Sequence, residues 1–212
     1  LASLALQTIR DYPELYKIYA EKNFTWHGIR QGNRNPLLYM NIGADGLKTG
    51  HTEAAGYGLT ASAVRGGRRL ILVLNGMSSM RERAQESAKL MEWGFREFNN
   101  YTLFKKGDTV DTAAVWLGTE ASVPLIIDRD LTVTLPRRAS RDAKVTVSFN
   151  APIAAPVTAG KEVGKLRIAV PDAAPIEIPL KAGKSVAQLG FMGRINAAIS
   201  YLLWGSQKSG AK

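Results

Sequence analysis

Asp45-Gly46-Leu47-Lys48-Thr49-Gly50-His51-Thr52 is the stretch on which the reading of this chain turns. It opens with a strand-like run, Gly46–Thr49, and continues into a glycine-containing turn. In Tyr57–Val64 the apolar residues Tyr57, Leu59, Ala61 and Ala63 recur at period two, as on a strand with one buried face. Arg65-Gly66-Gly67-Arg68 has hairpin-turn chemistry, and a third run, Leu70–Asn75, follows it. Met80–Phe98 then reads as a long amphipathic helix. Ala84, Ala88, Met91 and Phe95 form its stripe, with Leu90 and Phe98 beside it and Ser79 as N-cap.

Upstream, residues 1–22 read as helical. Leu1, Leu4, Ala5 and Ile9 share a face, and a short second helix, Pro13–Ala20, starts on a proline suited to its first turn. Residues 23–46 have loop composition, and Trp26 and Trp93 read as core side chains. From about Tyr101 short β-rich runs alternate with turns: Thr109–Leu117, Pro124–Ile127, Leu131–Leu135, Lys144–Phe149, Leu166–Val170 and Ile176–Leu180. That spacing predicts a small all-β sandwich or barrel.

Gly190–Trp204 is different again. Phe191, Met192, Ile195, Ile199, Leu202 and Leu203 gather on one helical face, and Trp204 closes it. At about 22 Å the segment is short for a bilayer, and its composition fits a helix lying in the headgroup plane. The competing reading packs this helix on its own domain. The expected organisation is α+β: residues 1–101, an all-β domain over 102–189, and a membrane-anchoring tail over 190–212.

Composition narrows the chemistry. The 212 residues carry a net charge of +10, of which residues 191–212 hold three basic and no acidic side chains. There is no cysteine, hence no thiol nucleophile or thiolate metal site, and only two histidines, His27 and His51. No metal or organic cofactor is implied. No zinc-finger, helix-turn-helix or RNA-binding signature accompanies the positive charge, so nucleic acid is not expected as a partner. The chain has no initiator Met and opens inside a helical pattern, so it reads as a piece of a longer one.

Lys48-Thr49-Gly50, followed by a hairpin and a long helix, has the layout of the third motif of penicillin-recognising serine enzymes. The likeness extends through Asn33-Arg34-Asn35, Ala55-Gly56-Tyr57, Ala61-Ser62-Ala63, Arg68-Arg69-Leu70-Ile71, Arg81-Glu82-Arg83 and Trp93-Gly94-Phe95. The chain resembles the low-molecular-mass penicillin-binding proteins, the serine-type D-alanyl-D-alanine carboxypeptidases. The resemblance implies the C-terminal part of a transpeptidase-like domain with an antiparallel sheet and helices, then the β domain and the amphipathic helix. It implies a peptidoglycan stem peptide ending in D-Ala-D-Ala as substrate, acylation by β-lactam antibiotics, and a place in the periplasm on the outer face of the cytoplasmic membrane. The tail would meet an anionic lipid surface.

The resemblance also assigns roles. Lys48 and Thr49 match the residues that hold the substrate carboxylate, and Gly50 lets the peptide lie along the strand. The backbone N–H of His51 matches an oxyanion-hole donor, while its imidazole reads as structural. Arg83 matches an arginine near the substrate carboxylate, and Arg34 one at the rim.

Two family motifs are missing. Ser3 is the only serine before Lys48, and Leu6 stands three positions after it, so neither Ser-x-x-Lys nor Ser-x-Asn precedes the strand. Ser209-Gly210-Ala211-Lys212 and Ser148-Phe149-Asn150 match those patterns but follow Lys48, the wrong order for the family. The fragment alone is therefore expected to be inactive, its partner being the missing N-terminal segment of its own chain. The alternative reading is a non-catalytic cell-wall or membrane-surface scaffold of the same fold.

Overall fold

The computed structural model describes residues 1–171 and 173–204. The chain divides into two compact units, Leu1–Asn99 and Asn100–Lys212.

The first unit opens with helices α1 (Ala2–Asp11) and α2 (Pro13–Tyr16), separated at Tyr12 where the backbone leaves the helical region just before Pro13. Strands β1 (Asn23–Trp26) and β2 (Ile29–Gly32) form a hairpin in the stretch expected to be loop. His27 and Gly28 make its two-residue turn, both at positive φ. Both faces of this hairpin are exposed, so no in–out alternation announces it. A 3-10 turn, Pro36–Tyr39, leads to β3 (Ala44–Thr52), β4 (Gly56–Arg65) and β5 (Arg68–Met77), an antiparallel sheet in that order. Gly66 and Gly67 turn β4 into β5 at φ 54° and 76°, values that favour glycine.

Helix α3 (Met80–Glu97) starts where Ser79 caps it, its hydroxyl accepting from the Glu82 N–H at 3.1 Å. Leu59, Ala61 and Ala63 of β4 pack with Met91 and Phe95 of α3 and with Leu37 and Ile42. A second cluster joins Ala5 and Tyr16 to Leu47, with Ile9 and Ile71 against it. The inner stripe of α3 differs from the expected one: Arg83, Ser87, Met91 and Phe95 are buried, and Ala84 and Ala88 flank them. The two tryptophans also correct the sequence reading. Trp26 is 61% exposed on the hairpin, and Trp93 is 44% exposed on the outer side of α3, edge-on to Phe98.

The second unit contains β6 (Phe98–Phe104), β7 (Thr109–Trp116), β8 (Ser122–Ile126), β9 (Leu131–Pro136) and β10 (Lys144–Phe149). It continues with β11 (Ile153–Ala154), β12 (Glu162–Ala169) and β13 (Ile176–Ala182). A six-stranded sheet runs β10-β12-β13-β8-β7-β11, and β6 pairs with β9 beside it. Its core includes Val123, Leu125, Ile127, Leu166, Ile168 and Leu180. Burying each such side chain contributes about 1.5–3 kcal/mol before conformational entropy is subtracted. The six expected runs all fall on strands; β6 and the two-residue β11 are additional. Helix α4 (Phe191–Trp204) follows, rooted where the Leu189 N–H donates to Leu117 O at 2.8 Å. No helix among the described residues is long and apolar enough to cross a membrane.

Candidate functional site

The site is built on β3. Register pairs Lys48 with Thr60, Thr49 with Leu59, Gly50 with Gly58 and His51 with Tyr57 across β4. The other side of β3 is the edge of its sheet. A cavity of about 610 Å³ opens here, lined by Arg34, Lys48, Thr49, Gly50, His51, Tyr57, Met80 and Arg83. All six residues singled out in the first unit thus line one hollow. Tyr57 and Met80 are additions.

Each lining residue has a local reason for its place. Two asparagines bracket Arg34. Asn33 donates to Glu21 O at 2.9 Å and Tyr19 O at 3.2 Å. Asn35, 1% exposed, donates to Gly46 O at 2.8 Å and accepts from the Leu37 N–H at 3.1 Å. The loop is thereby tied to the strand that carries Lys48 and Thr49. Lys48 is exposed, and its ammonium donates to Thr49 O at 2.7 Å; Thr49 is nearly buried. A Cβ added at Gly50 would meet nothing within 4 Å, so this position leaves open space beside the strand.

Opposite, Tyr57 stands between two other groups. The His51 ring lies 3.9 Å from it, centroid to centroid, and the Arg83 guanidinium 5.7 Å from its centroid, in cation–π range. Arg83 is only 6% exposed. Its Nη2 donates to Arg34 O at 3.4 Å, a long contact, and its buried Nε has no hydrogen-bond partner. Desolvation draws its pKa below the ordinary arginine value, with Tyr57 opposing. Guanidinium nonetheless stays charged in proteins. A buried cation with unused donors is costly until an anion meets it. The wall of this cavity therefore suits a carboxylate.

A polar network supports the start of β3. Tyr16 donates to Asp45 at 2.8 Å, and Arg69 forms a 2.8 Å ion pair with the same carboxylate and also donates to the buried Ser62 hydroxyl. Burial, chiefly, pushes the Tyr16 phenol up to about 12. A Cβ at Gly46 would lie 2.6 Å from the Tyr16 oxygen, so glycine is required for this approach. Only the residue types were visible beforehand; their convergence is tertiary.

Among the described residues no group of three His, Asp or Glu is placed to hold a metal. Ser148 and Asn150 line a hollow of about 620 Å³ in the second unit, with Lys161, Glu162 and Lys165. It is slightly larger than the β3 cavity but brings no buried unpartnered cation. Ser209 and Lys212 lie outside the described residues. Phe191, Met192, Ile195 and Ile199 of α4 are exposed. The side chains of Leu202, Leu203 and Trp204 lie outside the described ones.

Comparison with known proteins adds family context. Residues 1–79 match the family model of D-alanyl-D-alanine carboxypeptidase, and residues 98–188 that of the penicillin-binding protein 5 C-terminal domain. The Escherichia coli K12 carboxypeptidase DacA is 41% identical over 168 residues, 78% of this chain and 42% of the relative. DacC of the same strain is 40% identical over 197 residues, 92% of this chain and 49% of the relative. Penicillin-binding protein 5 from Haemophilus influenzae superposes with a TM-score of 0.78 at 37% identity, covering 88% of this chain and 55% of that one. The chain spans about half the length of the curated relatives it matches.

Proposed function

The chain belongs to the D-alanyl-D-alanine carboxypeptidases of the low-molecular-mass penicillin-binding family, and on that premise we propose that it supplies the carboxylate-binding and oxyanion side of a serine-type peptidase active site. The substrate is the peptidoglycan stem peptide ending in D-Ala-D-Ala. Lys48, the Thr49 hydroxyl and Arg83 hold its terminal carboxylate, with Arg34 at the rim. The peptide lies along the β3 edge, where Gly50 offers no side chain to obstruct it. A serine supplied by the rest of the protein attacks the penultimate carbonyl carbon, and the resulting oxyanion accepts from the His51 backbone N–H. Collapse expels D-alanine as its protonated amine and leaves an ester, which water hydrolyses. A β-lactam carries an equivalent carboxylate and acylates the same serine. The observation that carries the proposal is the meeting of Lys48, Thr49 and the incompletely partnered Arg83 on one cavity.

Periplasmic residence on the outer face of the cytoplasmic membrane belongs to the same proposal. Its support is α4, where Phe191, Met192, Ile195 and Ile199 are exposed and no acidic residue occurs from 191 to 204. Removing residues 190–212 should abolish co-sedimentation with anionic liposomes; unchanged sedimentation would remove the anchor. For the enzyme, fluorescent penicillin is the direct probe. The longer protein that carries Ser-x-x-Lys and Ser-x-Asn should label covalently, and the 212-residue chain alone should not. Absence of label on the longer protein would favour a non-catalytic scaffold.

A further inference from the structure

The second unit carries a basic surface that the peptidase chemistry does not use. Between β9 and the start of β10 the run Arg137-Arg138-Ala139-Ser140-Arg141-Asp142-Ala143-Lys144 places four basic side chains against one acid. All four are exposed, as is Arg167, which pairs in register with Thr146 two residues beyond Lys144 and therefore shares its face of the sheet. Among the described residues none of the five forms an ion pair. Glu177, which faces Arg167 in register on β13, is engaged with Lys165 at 3.2 Å.

The loop that presents the arginines is anchored. A 3-10 turn, Ala139–Arg141, lies within it. The Ser140 hydroxyl donates to Arg137 O at 2.9 Å and accepts from the Tyr101 hydroxyl at 3.1 Å. Less ordering is then needed when an anion binds.

Position selects the occupant. The surface sits at the Lys144 end of β10. The other end, Phe149, leads through three residues to β11, which pairs with the C-terminal end of β7, and the root of α4 is tied just beyond, at Leu117 and Gly118. The basic surface and the root of α4 thus stand at opposite ends of the sheet. With α4 on lipid, the basic end is turned from the bilayer, where the anionic material is the cell-wall polymer.

We infer that Arg137, Arg138, Arg141, Lys144 and Arg167 form a docking surface for peptidoglycan, recognising the carboxylates of its stem peptides away from the cleaved end. This rests on the proposed function for the identity of the polymer. Arginine forks match carboxylates, and a polymer offers many at once, so individually weak exposed pairs add through multivalency.

The test is co-sedimentation of the 212-residue chain with isolated peptidoglycan sacculi, in excess soluble D-Ala-D-Ala peptide to occupy the β3 cavity. The variant R137S/R138S/R141S/K144S is compared with K105S/K106S/R129S/K161S, which removes the same charge elsewhere on the unit. Circular dichroism and melting temperature check that both fold. The first variant should lose roughly tenfold or more in apparent affinity and the second little. Raising salt from about 0.05 M to about 0.5 M should release the parent. Equal losses in the two variants, or no sedimentation of the parent, would overturn the inference. So would binding only to anionic vesicles that the first substitutions abolish. Penicillin labelling of the longer protein with the same four substitutions should be retained; loss of all labelling, unsubstituted protein included, would fault the enzyme reading and leave the sedimentation result intact.

Discussion

Arg83 lines the β3 cavity, and only part of its setting could be read from the sequence. Its type and its place after Ser79 were legible; its burial and its open Nε were not, because an α3 stripe containing Ala84 and Ala88 reads more naturally as the inner one. Replacing Arg83 by alanine in the longer protein should lower the second-order rate of penicillin acylation by roughly ten- to hundredfold, the loss of a charge-assisted contact. Stopped-flow acylation measures this, and an unchanged rate would remove Arg83 from the site. Asn35 makes a different case. Buried and doubly bonded, it ties the Arg34 loop to β3, and Asn35→Ala should cost about 2 kcal/mol in urea unfolding by leaving Gly46 O and the Leu37 N–H without partners. Tyr16 gives a pH signature. Its folded pKa, about 12, lies above the usual tyrosine value near 10, so its contribution is complete below that value and is lost as pH rises toward 12. The difference is about 2–3 kcal/mol. The stability of Tyr16→Phe should therefore fall less steeply than that of the parent between about pH 10 and 12.

At the scale of elements, the strands β3, β4 and β5 were legible because two-residue alternation and a Gly-Gly turn agree with each other. The β1–β2 hairpin was not. Its Phe24, Trp26 and Ile29 face solvent, and asparagine and glycine on either side disguise it as loop. Tyr57 was within reach, since the short turn between β3 and β4 sets it opposite His51. Gly50 and Gly46 separate two uses of one residue type on a single strand. Gly50→Ala projects into open space and should leave the melting temperature nearly unchanged while slowing acylation. Gly46→Ala meets the Tyr16 oxygen and should destabilise by about 1–3 kcal/mol, as overpacking does. Equal melting temperatures for the two variants would contradict this account.

Among the described residues the two units have cores that share no buried residue, the β4–α3 and Ala5–Tyr16–Leu47 clusters in the first and the cluster of the six-stranded sheet in the second. Calorimetry should resolve two transitions, the lower belonging to the first unit, whose sheet has only three strands. A single transition with coincident probes would refute independent cores. The change from helix–hairpin patterning to closely spaced short strands made the division visible in sequence. Its position was less so, because the unit boundary at Asn99 and Asn100 falls inside β6 and not in a polar linker. β6 begins directly after α3 and pairs with β9, and Thr134 donates to the Asn100 side chain at 2.9 Å. A protease needs several residues of unpaired chain to seat in its cleft. This junction offers none, so limited digestion should spare it and cut first in exposed turns. Separate units will have to be made by cloning, with β6 kept whole on the side of its partner β9.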